Sequence, residues 1–206
     1  MEMKALRSQM NPHFIFNCIN SIDALIQSND KYHATVYLNK FAKLIRNILD
    51  SSKQNTISLN QDLEALKLYI ELEQLRHENK FTASVTAEES VLQEDYKVPP
   101  LIIQPFVENA IIHGIRHRPG NGGILTITVS RQGEYLQYLI EDNGVGRDYV
   151  KSRIRRENQS YGIDMSNDRV KLFNNEATAS VHITDLFNNG QPAGTRVEVL
   201  LKIQSC

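Results

Sequence analysis

The run Pro105-Phe106-Val107-Glu108-Asn109-Ala110-Ile111-Ile112-His113-Gly114 sets how the rest of the chain is read. From Leu101 to His113 nearly every residue is apolar, which predicts a helix buried on all sides. Glu108, Asn109 and His113 break that pattern. A buried polar group without a partner is costly, so these residues require a ligand, a metal or a tight internal network.

Around this helix the periodicity is that of strands. Phe81-Thr82-Ala83-Ser84-Val85-Thr86 alternates, as do Ile124–Val129 and Tyr135–Ile140, which flank Gln132-Gly133 as the arms of a hairpin. The second arm closes in Glu141-Asp142-Asn143-Gly144-Val145-Gly146. Its glycines allow a backbone turn and close approach to a ligand, and Asp142 can accept a hydrogen bond from an amino group. A helix is expected near Met165–Asn174, then strands near Ala179–Thr184 and Arg196–Lys202, separated by Asn188-Asn189-Gly190. Gly190, Gly194 and Thr195 lead into the last strand. Helices mixed with hairpins imply an α+β sandwich, one mixed sheet with helices on one face.

The N-terminal part is helical. A first helix is expected from about Lys4 to Gln27, with Ile15, Ile19, Ile22 and Ile26 on one stripe. A second, from about Lys31 to Ser51, carries Ala34, Leu38, Phe41, Ile45 and Ile48 on one face. Ser58-Leu59-Asn60-Gln61 has the form of a capping box and opens a third, which buries Leu59, Leu63, Leu66 and Ile70 and runs to about Asn79. Three amphipathic helices cannot bury their stripes alone, so a bundle or a dimer follows. The domains expected are 1–79, helical, and 80–206, α/β. Within the first helix stands Gln9-Met10-Asn11-Pro12-His13-Phe14-Ile15-Phe16-Asn17. Pro12 has no N–H and bends the helix just before His13. His13 falls roughly opposite the isoleucines, with Gln9, Asn17 and Asn20, and is presented outward.

Composition bounds the function. The 206 residues carry a net charge of −1, which argues against bulk binding of nucleic acid or an anionic membrane. The two cysteines, Cys18 and Cys206, make no metal or redox spacing, and Cys18 reads as a small core residue in a reducing, cytosolic setting. No apolar run approaches the roughly 18–20 residues that span a bilayer. The chain opens inside a helical pattern, Met3-Lys4-Ala5-Leu6-Arg7, without a cap, as a piece of a longer protein would.

In order and spacing these stretches resemble the sensor histidine kinases of the LytS type, a branch of the Bergerat-fold ATPases shared by gyrase, MutL and the histidine kinases. Gln9–Asn17 resembles that family's phosphoacceptor box, with His13 as acceptor. Glu108-Asn109-Ala110 resembles its N box, which implies that Asn109 holds Mg²⁺ and that Glu108 is the catalytic base. Asp142-x-Gly144-x-Gly146 resembles the first glycine box, whose aspartate contacts the adenine amino group. Ser160-Tyr161-Gly162-Ile163 is a reduced second glycine box, and Gly194-Thr195 resembles the box lining the adenine pocket. The chain departs from the family pattern at Ile112, where a lysine is frequent, and at Phe14, where many other histidine kinases carry an acid.

The resemblance implies an ATP- and Mg²⁺-dependent kinase that phosphorylates itself on His13 and passes the group to an aspartate of a response regulator. It implies a homodimer, and a cytoplasmic portion of a membrane-anchored sensor that itself touches no membrane. The polar stretch from Arg147 to Tyr161, with Lys151, Arg153, Arg155 and Arg156, reads as a lid over ATP. Two other functions fit the same fold: a nucleotide-binding dimeric module that signals without kinase activity, and a Bergerat-fold ATPase.

Overall fold

The computed structural model describes residues 12–147, 160–175 and 180–204, and for 12–13 and 160–165 the backbone alone. The expected helical start from Lys4 to Asn11 and the central part of the expected lid, 148–159, lie outside the described residues.

Three helices come first: α1 (Pro12–Gln27), α2 (Lys31–Ser51) and α3 (Leu59–Arg76). Asp30 caps α2, its carboxylate accepting the His33 N–H at 3.2 Å. The capping box of α3 is formed: the Ser58 hydroxyl accepts the Gln61 N–H at 3.2 Å while the Gln61 amide oxygen accepts the Ser58 N–H at 3.1 Å. Helix α3 stops at Arg76 rather than Asn79, because Glu78 and Asn79 take left-handed backbone at φ 52° and 54°.

The isoleucine stripe of α1 faces the core only in part: Ile15 and Ile22 pack against it. Ile19 and Ile26 are 50% and 62% exposed, and the buried residues are Phe14 and Cys18. Aromatic geometry decides this. The Phe14 ring packs on Tyr69 of α3 with centroids 4.9 Å apart, and the buried Tyr37 hydroxyl of α2 donates to the Cys18 sulfur at 3.6 Å. Helix α2 keeps its expected face apart from Leu38, which is exposed: Ala34 and Ile48 are buried along with Tyr37 and Leu44, and Phe41 and Ile45 pack against the core. Helix α3 is enclosed on most of its circumference, burying Asp62, Tyr69, Leu72 and Glu73 in addition to the expected leucines.

The remaining elements are β1 (Ile57–Ser58), β2 (Phe81–Ala87), α4 (Glu89–Gln93), β3 (Lys97–Val98), α5 (Gln104–Asn109), β4 (Gly123–Gln132), β5 (Tyr135–Asp142), α6 (Ser160–Asn174), β6 (Val181–Asn188) and β7 (Gln191–Lys202). Five strands form one mixed sheet in the order β2-β4-β5-β7-β6, with β2 and β4 parallel and the other pairs antiparallel; β1 and β3 pair separately. The fold is α+β, as the sequence predicts. The last hairpin is longer than expected, since Asn189 and Gly190, at φ 51° and 78°, make a tight turn directly between β6 and β7. Helix α6 also begins earlier, at Ser160.

One face of the sheet is the core. Leu125, Ile127 and Val129 on β4, Leu136, Tyr138 and Ile140 on β5, and Val197, Val199 and Leu201 on β7 are all buried, as a period of two requires. Helix α3 packs against β2 and α6 against β7.

The predicted single helix from Leu101 to His113 is broken into parts. Leu101 sits at φ 57°, outside the right-handed helical region, so α5 starts only at Gln104, with Pro105 in its first turn. After Asn109 the chain widens into a π-turn, Ala110–Gly114, and then tightens into a 3₁₀ turn, Ile115–His117. Such π-turns concentrate at functional sites. Among the described residues, no helix is long and apolar enough to cross a membrane. Replacing Ser58 with alanine removes one partner of the capping box and should cost about 1 kcal/mol. Urea unfolding should show a lower midpoint with an unchanged slope.

Candidate functional site

Counting along β5 places Asp142 where an apolar residue is due. Leu136, Tyr138 and Ile140 point into the core, and Asp142 continues their parity at the strand's end, 5% exposed. Its carboxylate accepts the Gly144 N–H at 2.8 Å and the backbone N–H of Thr195. Burial nonetheless dominates and pushes it from 3.8 up to about 6, against the lowering effect of those two donors. The site therefore holds a carboxylate whose ionisation is expensive.

Backbone surrounds it. Gly194, at φ 132°, lies so close that a Cβ there would sit 1.8 Å from the Asp142 carbonyl oxygen. A Cβ on Gly144 would fall 2.2 Å from the Gly114 carbonyl carbon, and one on Gly114 would fall 2.6 Å from Asp142 Oδ1. The Val145 N–H donates to the Gly114 carbonyl at 3.3 Å. The π-turn, the end of β5 and the start of β7 thus meet at distances that leave no room for a Cβ on these three glycines. Gly146 adjoins Pro192, and Thr195 is paired with Asp142 on one side and Asp185 on the other.

Asn143, inside the same loop, is occupied structurally. Its side-chain oxygen accepts the Ile124 N–H at 2.7 Å, and its amide donates to the Gly122 carbonyl at 3.1 Å. Arg147, at the end of this loop, makes a two-pronged pair with Asp185 of β6, both contacts at 2.7 Å. Sequence pattern alone does not find this pair, nor Gly114 as a wall of the site.

Glu108 and Asn109 stand on α5, immediately before the π-turn. The Gln104 side chain donates to the Glu108 carboxylate at 3.1 Å, and the Asn109 amide nitrogen donates to the Pro105 carbonyl at 2.7 Å. That bond commits the nitrogen and leaves the side-chain oxygen as the atom for a ligand. His113 is half-buried in the π-turn, its Nδ1 enclosed without a hydrogen-bond partner among the described atoms. Burial, then His117 and Arg116, lower its pKa, which keeps the imidazole neutral.

The predicted acceptor region lies at the start of α1. The backbone of His13 lies in its first turn, and its side chain is outside the described part. Phe14 next to it packs on Tyr69, whose hydroxyl is pushed well above its usual range by burial and then by the charge of Glu108. Tyr69 of α3 thus packs on a residue of one predicted box and feels the charge of a residue of the other. Gly162 lies in the first turn of α6.

Comparison with known proteins shows what the chain is similar to. Residues 1–81 match the family described as histidine kinase. The sensor protein LytS of Staphylococcus epidermidis is 37% identical over 145 residues, which is 70% of this chain. The sensor histidine kinase/phosphatase LytS of Staphylococcus aureus is 35% identical over the same length. Over these stretches the chain is similar to the LytS-type sensor histidine kinases. It spans 24% of the length of those two LytS proteins. Among solved structures, the chain is similar to the histidine kinase domain of the blue-light activated kinase of Erythrobacter litoralis, with TM-score 0.49 and 13% identity over 94% of this chain and 96% of that one. It is also similar to the catalytic domain of histidine kinase ThkA, with TM-score 0.47 and 13% identity over 72% and 94%.

The raised pKa of Asp142 has a thermodynamic sign. A carboxyl that binds its proton more tightly folded than unfolded costs stability once ionised, fully above about pH 6 and not at all below the unfolded value of 3.8. Asp142→Asn should therefore stabilise the protein at pH 7.5 by about 1–3 kcal/mol. The gain should vanish near pH 4, as read by thermal unfolding across pH.

Proposed function

We propose that this chain is the catalytic region of a two-component sensor kinase that transfers the γ-phosphoryl group of ATP to His13 and then to an aspartate of a response-regulator receiver domain. One observation carries the reading: a buried carboxylate, Asp142, set at the end of the inner sheet face and walled by the backbone of Gly114, Gly144 and Gly194. A flat heterocycle with an outward amino group fits such a wall. Asp142 accepts the N6–H of adenine, a donor that guanine lacks at that position.

Asn109 supplies an oxygen ligand for Mg²⁺, since its amide nitrogen is held by Pro105. Among the described residues no three His, Cys, Asp or Glu side chains gather into a metal group, so the remaining ligands would be water and nucleotide phosphates, as this hard ion prefers. When bound, Mg²⁺ neutralises charge on the phosphates. Phosphoryl transfer needs such neutralisation and in-line placement more than covalent help from the protein.

His13 is the nucleophile. A neutral imidazole, favoured at pH 7 by an unperturbed pKa near 6.5, attacks the γ-phosphorus through one ring nitrogen. The N–P bond forms as the bond from phosphorus to the bridging oxygen of ADP breaks, and the proton on the other ring nitrogen passes to or is held by a carboxylate, for which Glu108 is assigned. Asn17, one helical turn after His13, supports the ring.

Two chains pair through α1 and α2. Ile19 and Ile26, with Phe16 and Leu38, are large apolar side chains that one chain leaves exposed on these two helices. The paired substitution Ile19→Glu with Ile26→Glu should reduce the mass seen in analytical ultracentrifugation from two chains to one.

The kinase assignment is tested by incubation with γ-labelled ATP and Mg²⁺. Acid-labile, alkali-stable label should appear on the wild-type chain and be lost from His13→Ala and Asn109→Ala. Asp142→Asn should weaken ATP binding at least about tenfold, the scale of one lost charge-assisted hydrogen bond. Label that persists in His13→Ala would overturn the acceptor assignment. A longer protein that binds ATP yet never labels would leave a nucleotide-sensing module in its place.

A further inference from the structure

The peptide group joining Pro100 to Leu101 is gripped from both sides. Its N–H donates to the carboxylate of Asp62 on α3 at 2.9 Å, and its carbonyl accepts from the Arg169 guanidinium on α6 at 2.8 Å. Asp62 is 3% exposed, and the charge of Arg169 acts on it favourably across the same peptide. The residue so held is Leu101, at φ 57°, a left-handed backbone that a bulky side chain seldom adopts and that persists only when its surroundings impose it. Three residues later α5 begins, the helix that carries Glu108 and Asn109.

A buried carboxylate is a poor way to fill a core, since an apolar side chain of similar volume serves as well or better. Here its geometry accounts for it. A single peptide plane held at both its donor and its acceptor can neither flip nor roll, and the direction in which the chain enters α5 is fixed with it. The two holding residues come from different parts of the fold. Asp62 lies in the first turn of α3, which also packs against α1 and α2, while Arg169 lies in α6, downstream of the expected lid and of Gly162.

We propose that Asp62 and Arg169 are positioning residues for the nucleotide site: by fixing the Pro100–Leu101 peptide between α3 and α6 they set the placement of Glu108 and Asn109. Helix α3 is then the element through which a displacement of the helical half reaches that site. The inference rests on the reading of the site as one for ATP.

The test uses the whole 206-residue chain and a fluorescent ATP analogue in the presence of Mg²⁺. It compares wild type with Asp62→Asn, Asp62→Ala and Arg169→Met, with hydrogen exchange at residues 104–109 measured on each without nucleotide. Asparagine keeps a carbonyl oxygen for the Leu101 N–H, so Asp62→Asn should bind within about threefold of wild type, whereas Asp62→Ala should bind about tenfold or more weakly, because small misplacements of a site are costly. Exchange at 104–109 should accelerate in Asp62→Ala and stay near wild type in Asp62→Asn. If Asp62→Ala does not fold, Arg169→Met decides, since it leaves Asp62 in place and should weaken binding about threefold to tenfold with faster exchange over the same residues. A folded Asp62→Ala with wild-type affinity and exchange overturns the proposal, as does an Asp62→Asn as impaired as alanine, or an Arg169→Met indistinguishable from wild type. A wild-type chain that binds no ATP would instead bring down the reading of the site, and the inference with it.

Discussion

No side chain fits where the π-turn, the end of β5 and the start of β7 converge. Gly114, Gly144 and Gly194 bring main chain against main chain, and the Asp142 carboxylate is left facing inward with two backbone N–H groups to accept. The rest of the site follows from that contact. The sheet register sets Asp142 opposite Thr195, the loop after β5 turns back on the Gly114 carbonyl, and α5 must deliver its polar residues just before the same point. The cost of the buried charge is the consequence of a wall made of backbone, and it is offset only in part.

Helix α3 joins the two halves of the sequence. On one side Tyr69 takes the Phe14 ring, and on the other Asp62 reaches the turn before α5. Its C-terminal end is also built around a buried acid, Glu73, paired with Arg76 at 2.5 Å. Lys43–Glu64 and Lys40–Glu71 connect α2 to α3 at the surface. Exposed pairs of this kind contribute little, so the attachment of the helical hairpin rests on Phe14, Cys18, Tyr37 and their buried neighbours.

Much of the architecture is legible in the sequence because periodicity reports burial directly. The α+β class, the β4–β5 hairpin and the capping box of α3 follow from local pattern. The failures share a cause, which is that tertiary contacts choose among faces a wheel treats as equal. Ile19 and Ile26 have the right spacing, but Phe14 and Cys18 have the partners. Pro99-Pro100 signals a turn before Leu101, but nothing local calls for a left-handed backbone at that residue, which is held by Asp62, 39 positions away. At the site, Asp142, Gly144 and Gly194 stand out as residue types, whereas Asp62 and Arg169 look like ordinary helix charges. An acid in line with Leu59, Leu63 and Leu66 is the one local sign of the former.

The π-turn is in effect a helix with one residue too many. An α-helix advances 100° per residue, so the extra residue swings everything after Asn109 around the axis relative to a regular continuation. That rotation is what aims the Gly114 carbonyl at the loop following β5. Shortening the segment by a single residue would restore regular hydrogen bonding and a better helix, yet would turn Gly114 away and open a gap where the wall now stands. Relatives should therefore conserve the length of this segment more strictly than the identity of the apolar residues within it.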